Sequence, residues 1–167
     1  MIKVLIMDVD GTLTDGKIYL GNNGEEFKSF CVKDGMGIKE LMKRGVVPII
    51  MTGRRSKLVE NRCMELGITH LYQNISDKIS KLHEICHEMQ IDYEEIAYIG
   101  DDINDLECLK VCGVSACPND AAEQILRVVN HICNKKGGEG CVRELAEYII
   151  RKNEDEEVYE NSCNNAN

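Results

Sequence analysis

Short apolar runs alternate with segments in which apolar residues recur at helical spacing along most of this chain. The runs predict buried strands at residues 4–7, 46–51, 70–72, 96–99, 114–116 and 131–133. The spaced segments predict helices at residues 36–42, 57–66, 78–89, 104–111, 121–128 and 141–151. Strands that alternate with helices of about ten residues are typical of an α/β, Rossmann-like fold, in which a mainly parallel sheet carries helices on both faces.

Two segments depart from this alternation. Residues 17–20 and 25–30 flank the turn sequence Gly21-Asn22-Asn23-Gly24, which predicts a β-hairpin inserted after the first strand. Residues 152–167 are rich in Asn and Glu and poor in apolar side chains, which predicts a disordered acidic tail. We therefore expect one domain over residues 1–151, followed by this tail.

Composition excludes several classes of partner. The 167 residues carry 20 Lys and Arg against 29 Asp and Glu, a net charge of −9, so the overall field repels nucleic acids and anionic lipids. No apolar run reaches the roughly 20 residues that cross a bilayer. Nine dispersed cysteines with no signal peptide before them favour reduced thiols in the cytoplasm.

Polar side chains follow three of the predicted strands at the point where each strand ends. They are Asp8, Asp10, Gly11 and Thr12, then Thr52, Gly53 and Arg54, and then Asp101, Asp102 and Asp105, while Lys78 opens the helix after a fourth strand. Parallel strands bring such groups to one edge of the sheet. Gathered carboxylates require a cation, and oxygen ligands favour Mg²⁺. Together with a lysine, a hydroxyl and glycine-freed N–H groups, Mg²⁺ would form a phosphate site.

The order of these motifs resembles the haloacid dehalogenase superfamily of phosphatases rather than the receiver domains of response regulators, in which the acidic pair comes first and the accepting Asp later. The resemblance implies that Asp8 is the nucleophile, forming an aspartyl phosphate, and that Asp10 is the general acid and base. It implies that Asp8, the Asp10 carbonyl and Asp101 hold Mg²⁺. The remaining assignments place Asp102 and Asp105 on the waters of the metal, and Gly11, Thr52, Gly53 and Lys78 on the phosphoryl oxygens.

A narrower similarity covers residues 2–150. The segments 8–16, 52–54 and 137–144, the last containing Val142-Arg143-Glu144, resemble the 3-deoxy-D-manno-octulosonate 8-phosphate (KDO 8-phosphate) phosphatases. This implies a phosphorylated sugar acid as the small-molecule substrate. The related nonulosonate 9-phosphate phosphatases often carry Glu where this chain has Arg54, so Arg54 favours KDO 8-phosphate without excluding them. A catalytically silent oligomerisation module is a further alternative.

The spacing of the motifs leaves no room for a cap domain. Only the hairpin and a helix fit between Gly11 and Thr52, and only a helix and a strand between Gly53 and Lys78. The resemblance implies a homotetramer in which the hairpins form a central barrel and a neighbour's C-terminal segment covers the site. Its cations would bind the substrate carboxylate, as Arg54 would; the candidates are Lys135, Lys136 and Arg143. Alternatively, Lys135 and Lys136 lie in a solvated loop and Arg54 forms a surface ion pair.

One motif favours a different chemistry. His83 and His87 match the HExxH signature of zinc proteases, on a predicted helix. The apolar stripe of that helix runs through Ile79, Leu82, Cys86 and Met89, which leaves both histidines mostly in solvent. We therefore expect no zinc site there. Tyr72, Tyr93 and Tyr98 lie among apolar neighbours and are expected to be packing residues.

Overall fold

A six-stranded parallel sheet forms the centre of the protein, for which a computed structural model describes residues 1–164. The strands are β1 (Val4–Met7), β2 (Tyr19–Leu20), β3 (Glu26–Phe27), β4 (Val47–Met51), β5 (His70–Tyr72), β6 (Ile96–Ile99), β7 (Val114–Cys117) and β8 (His131–Ile132). The helices are α1 (Val32–Lys43), α2 (Lys57–Leu66), α3 (Lys78–Met89), α4 (Leu106–Val111), α5 (Glu123–Leu126) and α6 (Cys141–Asn164), with 3₁₀ turns at Tyr93–Glu95 and Ile103–Asp105. The predicted α/β class is confirmed.

The sheet buries both faces under helices. Along β1, Leu5 and Met7 pack with α1, α2 and α6, whereas Val4 and Ile6 pack with α3, α4 and α5. This explains why the strands read as continuous apolar runs, since alternate residues of a doubly covered strand both enter a core. Among the described residues, only the hairpin of β2 and β3 and helix α1 lie between β1 and β4, so the expected absence of a cap is confirmed.

In the strand order β5-β4-β1-β6-β7-β8, strands are added on one side of β1 and then on its other side, so β1 borders the topological switch point. The chain builds the sheet outward from β1 through β4 and β5, and then crosses to β6 on the other side of β1. Residues of β1 pair in parallel with both neighbours, as Ile6 does with Ile49 and with Tyr98. Sites in such sheets lie beyond the carboxyl ends of the strands at this switch point.

Several element boundaries differ from the predicted ones. Helix α1 begins at Val32 rather than at residue 36, and the predicted helix at 104–111 divides into a 3₁₀ turn and α4. Helix α5 is a single turn. The hairpin strands pair over only two residues each, at Tyr19 with Phe27 and at Leu20 with Glu26. Two strands without a third neighbour have little reason to extend, because isolated hairpins are marginally stable.

The predicted end of the last helix at Arg151 is wrong, since α6 continues to Asn164 and residues 152–164 are helical rather than disordered. This segment has few apolar residues, and polar contacts with the first residues of the chain stabilise it instead. Asn153 donates to the Ile2 carbonyl oxygen at 2.8 Å and accepts the Ile2 N–H at 2.7 Å. Glu156 pairs with Lys152 and with the terminal amino group of Met1. The last three residues of the predicted tail lie outside the described part.

Helix α6 receives its N-terminal cap from a distant helix. Asp34 of α1 is buried, and its Oδ1 accepts the backbone N–H of Arg143 at 2.7 Å. Burial raises the pKa of Asp34 to about 6, although the N–H groups of α6 that it accepts oppose this shift. A carboxylate at a helix N-terminus also complements the helix dipole. Asp34 therefore ties the first turn of α6 to α1.

Within residues 1–164, no helix combines the length and the apolarity that crossing a lipid bilayer demands.

We predict that Asn153→Ala destabilises the protein by about 1–3 kcal/mol, because the backbone groups of Ile2 lose both hydrogen bonds. Amide exchange should accelerate in residues 152–164 and not in β1. Denaturant unfolding and hydrogen exchange by mass spectrometry would measure these effects. Asn161→Ala is the matched control, since Asn161 is an exposed residue of the same helix. Equal stability of both variants would contradict the role of Asn153.

Candidate active site

The loop after β1 presents Asp8 at the edge of the sheet. The Asp8 N–H still donates to the Ile99 carbonyl oxygen at 3.0 Å, so the residue is held as a continuation of the strand. The chain then turns sharply, with Thr14 N–H bonded to the Val9 carbonyl oxygen at 3.0 Å. Gly11 adopts a φ of 93°, and a Cβ at this position would overlap the Asp101 carboxylate. Glycine is therefore required where the loop passes the acidic residues that follow β6.

Lys78 joins two carboxylates at the centre of the site. Its Nζ lies 2.7 Å from Asp8 Oδ1 and 2.6 Å from Asp105 Oδ1, and all three side chains are almost completely buried. Lys78 is the first residue of α3, and Asp77 caps that helix by accepting the Ser80 N–H. The cap fixes the start of the helix, and thereby the position from which Lys78 reaches the two carboxylates. The structure thus brings together Asp8, Lys78 and Asp105, as the motif order predicted.

Tyr98 takes part in this buried network, which the sequence did not indicate. Its hydroxyl donates to Asp105 Oδ1 at 2.6 Å, the same oxygen that Lys78 binds. Burial and the nearby Asp105 carboxylate raise the pKa of Tyr98 well above its usual value, so the hydroxyl remains a donor. The residue does pack in the core as expected, but its oxygen also holds Asp105 in place.

Asp101 completes a cluster of carboxylates with the properties of a metal site. One carboxylate oxygen from each of Asp8, Asp101 and Asp105 lies within 4.8 Å of the others. Asp101 Oδ1 and Asp105 Oδ2 are buried without a hydrogen-bond partner. Buried acceptors without donors are costly, and an oxygen-only donor set suits a hard divalent cation such as Mg²⁺. These residues therefore fit the predicted cofactor.

The electrostatics of the cluster point the same way. Burial, together with the charges of Asp8 and Asp105, raises the pKa of Asp101 to about 8. Burial and Asp105 raise the pKa of Asp8 to about 6, although Lys78 opposes this shift. Burial alone would lower the pKa of Lys78, but its two carboxylate partners outweigh it and raise the pKa. One ammonium group does not neutralise three carboxylates, so a divalent cation would complete the charge balance.

Several of the predicted site residues line a cleft of about 170 Å³ beside this cluster. Its walls are formed by the side chains or backbone of Asp8, Asp10, Thr52, Gly53, Arg54, Asp101, Asp102 and Asn104. Thr52 is buried at the end of β4, and its hydroxyl oxygen accepts the Arg54 N–H at 3.4 Å. Asp102 is exposed and accepts the N–H of Ile103, so it caps the 3₁₀ turn.

Asp10 and Arg54 are connected through the hairpin, which sequence reasoning missed. Lys28 bonds to Asp10 Oδ1, and its Nζ lies 3.5 Å from Glu26 Oε1. The same Glu26 oxygen accepts from Arg54 Nη2 at 2.9 Å. Arg54 therefore forms an ion pair with Glu26 at the rim of the cleft. The sequence did contain one signal for this contact. Glu26 and Lys28 alternate with Phe27, which would put both charges on the same side of a strand.

The glycine-rich segment before α6 packs against the loop that follows β1. A Cβ on Gly137 would overlap the Gly11 carbonyl oxygen, and Gly138 N–H donates to the Thr12 carbonyl oxygen at 3.0 Å. Of the four cations predicted to bind substrate, Arg54 lines the cleft, whereas Lys135, Lys136 and Arg143 lie outside it. Lys135 and Lys136 are exposed, and Arg143 Nε is 2.6 Å from Glu147 Oε1. The segment thus supports the loop, and any contact of these cations with substrate would need a neighbouring subunit.

In the described part of the chain, the HExxH motif is not part of a cluster of potential metal ligands. His83 and His87 are exposed on α3, and the clustered potential ligands found in residues 1–164 are Asp8, Asp101 and Asp105. Leu82 and Ile85 are the buried residues of that helix beside Lys78. The prediction of solvated histidines agrees with this placement.

Comparison with known proteins finds close relatives over most of the chain. Residues 67–145 match the family of haloacid dehalogenase-like hydrolases. The chain is 46% identical over 149 residues to the KDO 8-phosphate phosphatase of Yersinia pestis, covering 89% of this chain and 80% of the relative. The corresponding enzyme of Escherichia coli K12 is 42% identical over 149 residues, covering 89% and 79%.

Solved structures agree with these matches. The crystal structure of the Yersinia pestis enzyme superposes with a TM-score of 0.87 at 46% identity, covering 89% of this chain and 80% of that chain. The KDO 8-phosphate phosphatase of Moraxella catarrhalis superposes with a TM-score of 0.88 at 40% identity, covering 90% and 86%. That second structure is a complex with a magnesium ion, a phosphate ion and a KDO molecule.

We predict that the metal-free protein becomes less stable as pH rises, whereas the stabilisation that Mg²⁺ adds becomes larger. The pKa values of Asp8 and Asp101 are raised to about 6 and about 8, so the folded metal-free protein binds more protons than the unfolded chain above about pH 4. The free energy of unfolding of the metal-free protein should therefore fall as the pH rises from about 4 to about 8. Mg²⁺ needs both carboxylates ionised, so the Mg²⁺-induced rise in Tm should be larger at pH 8.5 than at pH 5.5 by about 3 °C or more.

Differential scanning fluorimetry with EDTA or Mg²⁺ at the two pH values would measure this difference. Asp101→Asn is the matched variant, because it removes the carboxylate with the most strongly raised pKa while keeping its shape. It should lose most of the Mg²⁺ response and gain metal-free stability at pH 8.5. A Mg²⁺ shift of equal size at both pH values would contradict the assignment.

Proposed function

We propose that this chain, which belongs to the KDO 8-phosphate phosphatases of the haloacid dehalogenase-like hydrolase family, hydrolyses KDO 8-phosphate to KDO and inorganic phosphate. It is a Mg²⁺-dependent phosphatase. The observation that carries the proposal is that Asp8, Lys78 and Asp101 meet at one sheet edge in a chain 46% identical to such an enzyme. A silent oligomerisation module would not need to retain this buried, electrostatically costly arrangement.

In the proposed first step, the Asp8 carboxylate attacks phosphorus. An aspartyl O–P bond forms, the P–O bond to the sugar breaks, and Asp10 donates a proton to the leaving alkoxide. Lys78 orients Asp8 and holds a phosphoryl oxygen, with Thr52 and the N–H groups near Gly11 and Gly53 as further donors. Because the pKa of Asp8 is about 6, most of this carboxylate is ionised at neutral pH.

In the second step, Asp10 accepts a proton from a water molecule that attacks phosphorus, and the aspartyl O–P bond breaks to release inorganic phosphate. Mg²⁺ would be held by Asp8, Asp101 and the Asp10 carbonyl oxygen, with Asp105 and Asp102 nearby. When bound, it supplies positive charge that stabilises the transferring phosphoryl group.

We predict that Asp8→Asn lowers kcat on KDO 8-phosphate by about 10⁴-fold or more, since no nucleophile remains. EDTA should abolish turnover of the unmodified protein, and added Mg²⁺ should restore it. Phosphate release is the measurement, and an unchanged far-UV circular dichroism spectrum would show that the variant is folded. Substantial turnover by Asp8→Asn would refute its role as the nucleophile.

Substrate choice is tested with the same assay. The values of kcat/KM for KDO 8-phosphate, a nonulosonate 9-phosphate and p-nitrophenyl phosphate should be compared. One additional carbon changes the free energy of transition-state binding by about 1–3 kcal/mol, so a preference of roughly 10- to 200-fold is expected. A preference for the 9-phosphate would favour the related enzyme class, and equal values would indicate a general phosphatase.

We also propose that the protein is a cytoplasmic homotetramer joined through its hairpins. The hairpin exposes a group of large apolar side chains, namely Ile18, Tyr19, Leu20 and Phe27. Such a group on a two-stranded hairpin is typical of an interface. Assembly would also bring Lys135, Lys136 and Arg143 of one subunit toward the site of another. The described cysteines are unpaired, in keeping with a reducing compartment.

We predict that Leu20→Asp combined with Phe27→Asp dissociates the tetramer and lowers activity, because charge replaces buried apolar surface. Light scattering after gel filtration should give four times the mass of one chain for the unmodified protein and a lower mass for the variant. Met64→Asp, a change at an exposed apolar residue of α2, is the control. A monomeric unmodified protein of full activity would contradict the proposal.

A further inference from the structure

Two neighbouring residues of the hairpin, Phe27 and Lys28, differ sharply in exposure. Phe27 is 60% exposed, whereas the side chain of its neighbour Lys28 is only 3% exposed. Lys28 reaches Asp10, where Nζ bonds to Asp10 Oδ1 and lies 3.5 Å from Glu26 Oε1. The described structure therefore buries a lysine from the hairpin directly against the proposed acid and base.

The burial of Lys28 has a cost that its surroundings offset. Removing an ammonium group from water is unfavourable unless opposite charges and hydrogen bonds replace the lost solvent. Asp10 and Glu26 supply both. Glu26 is itself held by Arg54 Nη2 at 2.9 Å and by the Ser56 hydroxyl at 3.4 Å. Glu26 is thus a second carboxylate partner that restrains Lys28, whose side chain is held by the protein rather than by solvent.

The contact has a consequence for proton transfer. A carboxyl oxygen that accepts an N–H bond can do so whether the group is ionised or protonated, provided that the proton is on the other oxygen. Because Lys28 occupies Oδ1, the transferable proton of Asp10 is confined to Oδ2. Asp10 lines the cleft, so Oδ2 is the oxygen left to meet the leaving group and, later, the attacking water.

We propose that Lys28 is a positioning residue that orients Asp10 for proton transfer. This inference rests on the proposed function, in which Asp10 is the general acid and base. Lys28 acts through Asp10 and does not contact the reacting atoms. Its effect should therefore depend on how strongly the leaving group needs a proton. An alkoxide leaving from a sugar phosphate needs one, whereas p-nitrophenolate is stable without one.

The test compares Lys28→Met with the unmodified protein on KDO 8-phosphate and on p-nitrophenyl phosphate. We expect kcat/KM to fall about 10- to 100-fold on the sugar phosphate, with the loss in kcat, and less than about threefold on the aryl phosphate. Lys28→Arg, which keeps the cation, should recover most of the loss. Lys17→Met is the matched control, since Lys17 belongs to the same hairpin loop but its side chain is 72% exposed.

A second comparison isolates Asp10 as the intermediary. Adding Lys28→Met to Asp10→Asn should change kcat/KM less than about twofold, because the group that Lys28 positions is already lost. Equal losses on both esters, or a loss confined to KM, would overturn the inference and assign Lys28 a structural or a substrate-binding role. If Asp10→Asn itself showed no difference between the esters, or if the unmodified protein hydrolysed neither, the proposed function would fail as well.

Discussion

One buried ammonium group, shared among carboxylates, ties together the elements that meet at the active site. Lys78 lies between Asp8 and Asp105, and Asp101 stands beside them with an oxygen that has no donor. These side chains come from β1, α3 and the loop after β6, so their mutual placement requires the strand order to be correct. The sheet core forces the like charges together, because Asp8 directly follows buried β1, and Asp101 and Asp105 lie in the segment after buried β6. Without a divalent cation the network carries excess negative charge, and this charge favours binding of such a cation.

The sequence allowed prediction of the parts of the site whose signal is local. Asp8, Thr52 and Asp101 each follow an apolar run, and parallel strands place such positions at one edge whatever the rest of the chain does. Tyr98 and Lys28 could not be assigned in this way. The hydroxyl of Tyr98 meets Asp105 only because of the turn that follows β6, and Lys28 meets Asp10 only because the hairpin folds back over the cleft.

The same distinction explains the errors at the C-terminus. Residues 152–164 lack the apolar pattern of a packed helix, and their helical state depends on contacts with the first residues of the chain, such as that of Asn153 with Ile2. Asp34 likewise looks like an ordinary helical residue until α6 is packed beside it. Periodicity reports which face of an element is buried but not which distant backbone group a polar side chain will satisfy.

The short pairing of β2 with β3 gives the hairpin an unusual dependence on register. Because side chains alternate along a strand, a shift by a single residue would turn the Lys28 ammonium toward solvent and direct the Phe27 ring at the Asp10 carboxylate. Insertions or deletions of one residue in the turn at Gly21–Gly24 should therefore be tolerated far less well than substitutions there. The spacing between the turn and Lys28 is thus a constraint on sequence divergence in its own right, separate from the identity of any residue in the cleft.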